Sequence, residues 1–198
     1  MLILFSNFIF ERGFYMNTIN SSDEIYTTAP DDAGRLPKEM AVYALLDRLS
    51  IPYERLDHDV AETMEACAEI DQRLGVSMCK NLFLRNQQKT TFYLLLMPGE
   101  KKFKTKDVSK QLGISRLSFA EAEYMEQYLN ITPGSVSVLG LMNDTGHHVH
   151  LIIDKELLEN ESIGCHPCIN TSSLKIKTED ILNVFLKHTG HTWVTVEL

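Results

Sequence analysis

Two apolar runs of strand length, CKNLFLRN (79–86) and TTFYLLLMP (90–98), face each other across the short polar link NQQK, and the second stops at a Pro-Gly turn. β-branched and aromatic residues flanking so short a link predict a β-hairpin. The rest of the chain has to pack around that pair. Further strands are expected at VSVLGL (136–141), HVHLIID (148–154), around SLKIK (173–177) and at TWVTVEL (192–198). Helical segments lie between them without strict alternation, which argues against a doubly wound parallel sheet. The expected fold is mixed α/β (α+β): a single compact domain with a curved mixed sheet surrounded by helices.

The helices are read from periodicity and end signals. Pro37 suits a first helical turn, and Ala41, Leu45 and Leu49 fall on one face of PKEMAVYALLDRLSIPY. Thr63 is the expected N-cap and Gly75 the stop of the next helix. KDVSKQLG ends at Gly113, Ser118 and Glu121 stand at capping-box spacing before EAEYMEQYL, and Thr178 is the expected cap of the last helix. No repeat or low-complexity tract interrupts this order.

Composition bounds the function. The 198 residues, 44% of them hydrophobic, suffice for one domain with a sizeable core. A formal net charge of −8 is unlike a protein that coats nucleic acid indiscriminately, so any RNA contact has to come from a local basic patch, and no DNA partner is expected. The apolar start MLILFSNFIFERGFYM lacks a basic leader and is too short for a bilayer, so neither signal nor anchor is expected. Met16 is the expected physiological start, the alternative being a docking role for residues 1–15. Residues 17–35 are polar and acidic and read as a flexible extension, with the folded domain spanning 36–198. Cys67, Cys79, Cys165 and Cys168 are expected as reduced thiols in a cytoplasm.

Four constellations carry candidate chemistry. Lys80 and Asn81 set a cation and an amide at a strand entrance, suited to an anionic or carbonyl-bearing ligand. The turn PGSVSV places Gly134, Ser135, Val136 and Ser137 where a ligand could approach the main chain. GCHPCIN presents Gly164, His166, Pro167 and Asn170. Its Cys165 and Cys168 spacing invites zinc, yet the other two cysteines supply no matching pair, so no metal is expected. The run from Lys101 to Lys110, with Lys101, Lys102 and Lys104 foremost, reads either as a solvated face or as a phosphate-tracking patch. Phe103 alone is too little for base stacking. The histidines of GHHVHLII are read as strand-face residues. No phosphate-binding glycine loop, serine-nucleophile elbow or H-E-x-x-H motif occurs.

Taken in order, CKNLFLRN, LGISRLSFA, PGSVSVLGLMND and GCHPCINTSSLKI resemble the YbaK/prolyl-tRNA-synthetase-associated editing domains, and within them the freestanding ProX-type members. The resemblance covers roughly Leu36 to Leu198. It implies a YbaK-like fold and hydrolysis of mischarged tRNA(Pro), chiefly alanyl-tRNA(Pro), by water positioned in part by the substrate's ribose hydroxyl. Lys80 matches the family's active-site lysine and Asn81 its neighbour. Gly134 to Ser137 match its pocket loop, and His166, Pro167 and Asn170 its G-x-H-P-x-x-N-like loop. Val138 and Leu139 depart from the Pro-Phe that often follows the turn, which bears on pocket shape. The expected partners are tRNA(Pro) carrying a non-cognate amino acid and prolyl-tRNA synthetase, with no cofactor and no membrane. The alternatives are a cysteinyl-tRNA(Pro) deacylase, a non-catalytic aminoacyl-tRNA-binding module, and a zinc-dependent regulator.

Overall fold

The computed structural model describes residues 21–22, 24–61 and 64–198. The apolar start, Met16 and the expected cap Thr63 lie outside the described residues.

The expected hairpin is the centre of the molecule. β2 (Lys80–Arg85) pairs antiparallel with β3 (Phe92–Met97), with Leu82 opposite Leu95. Asn86 shapes the link: its side-chain oxygen accepts the N–H groups of Thr90 and Thr91, and Lys89 takes a left-handed φ of 58°. β4 (Ser118–Phe119) adds to the outer edge of β2. On the other side β5 (Val149–Asp154) and β8 (Trp193–Val196) join in parallel. The sheet order is β4-β2-β3-β5-β8. Both faces of β3 are covered, which explains why FYLLLM is a continuous apolar run rather than an alternating one. Leu94 and Leu96 face the main core, while Leu95 and Met97 face a second cluster under α3 (Thr105–Leu112).

A second sheet, antiparallel and ordered β1-β7-β6, stands beside the first. It comprises β1 (Tyr53–Asp57), β6 (Ser162–Cys165) and β7 (Ser172–Lys177). The two sheets are joined where the Cys79 N–H donates to the Gly164 carbonyl at 3.0 Å. A Cβ on Gly164 would meet Met78 and the Ser77 carbonyl at 2.9 Å, so this glycine serves a backbone-to-backbone approach. Part of the expected flexible extension lies along β1: Tyr26 exchanges both backbone hydrogen bonds with Arg55, and Ser22 donates to Asp57.

Helices cover the sheets. α1 (Pro37–Arg48) buries Val42, Tyr43, Leu45 and Leu46, so its apolar face is rotated away from Ala41, which is exposed. α2 (Met64–Leu74) packs Ile70 and Leu74 on Leu56 of β1 and stops at Gly75, whose φ is +61°. α3 ends at a left-handed Gly113. α5 (Lys155–Glu159) follows β5 directly. The last helical run comprises α6 (Thr178–Asp180), a π-helical turn at Ile181–Phe185 and α7 (Leu186–Thr189).

Three local expectations are corrected. VSVLGL is no strand: Val138–Asn143 forms a 3₁₀ helix, capped by Ser137, whose hydroxyl accepts the Leu139 N–H at 3.2 Å. Residues 138–141 are all buried, and an apolar run without alternation does not distinguish a strand from a buried helical turn. Before α4 (Ala122–Leu129) there is no capping box. Ser118 belongs to β4, and the Glu121 carboxylate turns away to pair with Arg85 and Lys89 at 2.8 Å each. Thr178 is already helical, and its hydroxyl donates instead to the Asn160 carbonyl at 2.6 Å.

Candidate active site

The turn from Thr132 to Ser135 is closed by the Ser135 N–H donating to the Thr132 carbonyl at 3.1 Å, with Pro133 and Gly134 at its centre. Gly134 takes φ +90°, the conformation a type II turn demands of its third residue, and a Cβ there would lie 3.5 Å from the Asn170 amide nitrogen. The glycine therefore brings two expected site loops together. The Gly134 and Val136 N–H groups have no intrachain partner among the described residues. Ser135 is buried beside Asn170 on the wall of a cavity of about 570 Å³, whose other walls include Thr132, His58, Asp57 and Arg35. Ser137, fully buried in its capping role, is not on that wall, and neither are Val138 and Leu139, which are core residues.

One side of the cavity is an ion network. The Arg35 guanidinium reaches both carboxylate oxygens of Asp57, at 2.6 and 3.3 Å, and the buried Glu39 at 2.8 Å. Burial pushes the Glu39 carboxyl above its usual range, with Arg35 opposing. Burial acts on Asp57 in the same direction, but hydrogen bonds from Arg35 and the charge of Arg55 outweigh it and hold that carboxyl below its usual range. Arg55 itself lies over the Tyr26 ring, 4.5 Å from the centroid.

Two histidines stand at the end of the small sheet, their rings 6.4 Å apart. The His58 Nδ1–H donates to the Asp59 carbonyl at 2.7 Å, leaving Nε2 to accept the Ser173 hydroxyl at 2.9 Å. The His166 Nδ1–H donates to the Ser172 carbonyl at 2.9 Å, with Ser173 Oγ at 3.5 Å. Each carbonyl fixes a tautomer. Burial lowers both pKa values below the ordinary 6.5, so both rings are neutral at pH 7. The His166 Nε2 lone pair has no intrachain partner and is not sealed from solvent. Pro167, buried, fixes the bend after it.

Lys80 and Asn81 were expected to present their groups together. The pleat forbids it, because adjacent residues of a strand face opposite sides. Lys80 shares a face with Leu82 and Leu84, and its ammonium donates to the Lys101 carbonyl at 2.8 Å. Asn81 shares the core-side face with Phe83. Its amide nitrogen donates to the Cys79 carbonyl and sulfur, at 3.0 and 3.3 Å, while its Oδ1 is sealed without any donor. Lys101 is likewise engaged: its ammonium pairs with the buried Asp154 at 2.9 Å and with Glu156 at 2.8 Å, which removes it from the phosphate-tracking set. Lys102 and Lys104 are exposed.

Cys79, Cys165 and Cys168 are buried thiols, and burial raises the pKa of all three, that of Cys79 and Cys168 to about 12. Among the described residues no three His, Cys, Asp or Glu side chains converge as metal ligands would. His148 and His150 pack on Tyr128 and Tyr93. Sequence reasoning missed Arg35, Asp57, His58 and Ser173. The signal was LDHD at the end of a strand that had not been recognised.

Residues 58–184 fit the model of the aminoacyl-tRNA editing domain. The chain belongs to that family. It is an aminoacyl-tRNA deacylase, an editing enzyme. It is 32% identical over 160 residues to the prolyl-tRNA editing protein ProX of Acetoanaerobium sticklandii, covering 81% of this chain and 97% of that one. It is 31% identical over 150 residues to prolyl-tRNA synthetase associated domain-containing protein 1 of Mus musculus, covering 74% and 88%. A crystal structure of a candidate trans-editing enzyme for prolyl-tRNA synthetase superposes with a TM-score of 0.59 over 83% of this chain and 99% of that one. Its 14% identity makes it a likeness of fold. Among the described residues no helix of this editing domain is long and apolar enough to cross a membrane.

Proposed function

We propose that this editing domain acts in trans on mischarged tRNA(Pro), hydrolysing the ester of alanyl-tRNA(Pro) with water. The observation that carries the reading is the likeness to a prolyl-tRNA editing protein over nearly all of that protein's length. The names of the mouse and other vertebrate relatives support prolyl-tRNA synthetase as a second partner, and a tRNA substrate suits a cytoplasmic enzyme. Selection for alanine follows from size: a synthetase pocket built for proline rejects a smaller side chain by only about 1–3 kcal/mol per missing methylene, which a second, smaller pocket corrects.

In this reading water attacks the ester carbonyl, the carbonyl electrons move onto oxygen, and the ribose oxygen leaves with a proton. The free N–H groups of Gly134 and Val136 are suited to the oxyanion. The neutral His166 Nε2 accepts a proton or hydrogen bond from the water or from the neighbouring ribose hydroxyl. Asn81, whose Oδ1 is sealed on the core side, supports the start of β2 through its bonds to Cys79 rather than touching the substrate. Lys80 supplies the cation for a phosphate or for developing negative charge. Ser135, Gly164, Pro167 and Asn170 shape the pocket.

Hydrolysis of alanyl-, cysteinyl- and prolyl-tRNA(Pro) measured side by side tests the reading. Alanyl-tRNA(Pro) is expected to be cut fastest and prolyl-tRNA(Pro) spared. Faster cysteinyl release would reassign the substrate, and no release of any would overturn the reading.

A further inference from the structure

A second cavity, of about 620 Å³, shares no residue with the pocket above. Phe103, Lys104, Lys106, Arg116 and Phe119 are on its walls, and no carboxylate lines it, although the chain carries 27 acidic against 19 basic residues. Lys104, Lys106 and Arg116 make no ion pair and no side-chain hydrogen bond among the described residues, whereas nearby Arg85 and Lys89 are both neutralised by Glu121. Phe119 is 57% exposed, held by the pairing of β4 with β2, and its ring meets the half-buried Phe103 edge-on at 5.9 Å. The loop into this cleft is anchored at its start, where the Lys80 ammonium holds the Lys101 carbonyl.

Unpaired cations around an exposed ring fit a polyanion that also offers a flat face. A duplex keeps its bases stacked inside, whereas a single strand can lay one on a ring. We propose that this cleft binds the unpaired 3′ end of the tRNA, one base stacked on Phe119 against Phe103 and its phosphates on Lys104, Lys106 and Arg116. The inference rests on the tRNA reading of the editing pocket and adds to it the surface that guides the strand toward Lys80.

The test uses uncharged tRNA(Pro) and the same RNA trimmed of its unpaired 3′ nucleotides, with binding followed by fluorescence anisotropy. Trimming is expected to weaken wild-type binding about ten-fold or more, the scale of one lost base–aromatic stack. Phe119→Ala should bind the intact RNA several-fold more weakly and lose less than wild type on trimming, since only the phosphate contacts remain to be lost, while Phe119→Trp retains binding. Lys104→Ala and Arg116→Ala should each make the salt dependence shallower by about one counterion. Phe119 is exposed, so the Ala variant is expected to unfold at the wild-type temperature, which a melting curve checks. Intact RNA bound equally by Phe119→Ala and wild type would overturn the proposal and point to an acidic protein segment instead. Trimming that costs wild type nothing would overturn it too. Because the RNA is uncharged, these results stand apart from the deacylation assay, so the cleft and the editing reading can fail separately.

Discussion

The pocket beside the small sheet and the cleft beside the large one are built on opposite principles. In the pocket the ion network and its histidine are mutually fixed, Arg35 to Asp57 and Glu39 and His58 to Asp59 and Ser173. In the cleft, Lys104, Lys106 and Arg116 are committed to nothing. A network of buried, mutually fixed groups suits chemistry, because preorganised dipoles need no rearrangement as charge develops. Free cations at an open surface suit a phosphate backbone, whose contacts need charge more than geometry. Substitutions should therefore divide: those on the pocket side change turnover with little effect on salt dependence, and those on the cleft side do the reverse.

The largest effect is expected at Lys80, which matches the family's active-site lysine and whose ammonium holds the loop that leads to the cleft. Lys80→Ala should lower single-turnover deacylation of alanyl-tRNA(Pro) about 10²-fold or more, the scale of one lost preorganised donor. Lys80→Arg should rescue poorly, since its planar fork directs hydrogen bonds differently. A folded Lys80→Ala protein nearly as fast as wild type would refute the assignment. A loss confined to tRNA affinity would move Lys80 to the cleft side of the comparison.

Next in size is Ser173, whose hydroxyl stands between the two histidines. Ser173→Ala removes the donor to His58 Nε2 and loosens the ring beside it. We expect about a ten-fold fall in turnover at unchanged tRNA affinity, within the range for a general acid–base arrangement partly disturbed. Unchanged turnover would make the pair a packing feature. A smaller effect is expected at the exposed Lys102, next in the chain to Phe103 of the cleft: Lys102→Ala should weaken tRNA binding a few-fold, with a shallower salt dependence, while Lys101→Ala, which breaks the Asp154 pair, should cost mainly thermal stability. Equal salt slopes for Lys102→Ala and wild type would return Lys102 to the solvated face.

How much of this was readable in the sequence differs by region for the same physical reason. The β2–β3 hairpin announced itself because its apolar runs, polar link and Asn86 turn are all local. The loops of the site could be picked out because glycine and proline mark special backbone, as Gly134 does at φ +90°. The pocket's ion network was not legible, because Arg35 meets Asp57 only after β1 is known to be a strand and the chain before α1 lies along it. Nor was the cleft. Phe103 and Phe119 are brought together by β4, a strand of two residues with no periodicity to read. The false strand at VSVLGL has the same origin: four consecutive buried residues erase the alternation that separates a strand from a helical turn.

The smallest expected effect sharpens the comparison through pH. His58 on the pocket wall, His166 with its ring 6.4 Å from it, and His191 buried against Asp144 all have pKa values below the ordinary 6.5, with burial the leading cause. Around His191 the other titratable groups are His147, whose ring lies 4.8 Å away, and His148, which shares Asp144. In the unfolded chain the three rings take up protons near 6.5, and in the folded chain only at lower pH. Between those values the unfolded state binds more protons, so stability is full above 6.5 and is lost as the pH falls through that value toward the folded pKa values. Each ring contributes at most about 1.4 kcal/mol per pH unit in that window. Urea unfolding at pH 7.5, 6.5 and 5.5 should therefore show a falling midpoint, with the steepest loss below 6.5. His191→Gln should flatten the fall by up to one proton's worth without touching deacylation at pH 7.5, since it lies outside the pocket and the cleft. The cleft carries no histidine, so binding of uncharged tRNA to the folded protein should not follow this profile. A midpoint that stays level from pH 7.5 to 5.5 would mean that the folded protein takes up protons as readily as the unfolded chain in this range, and the burial of the three rings would not be setting its pH dependence.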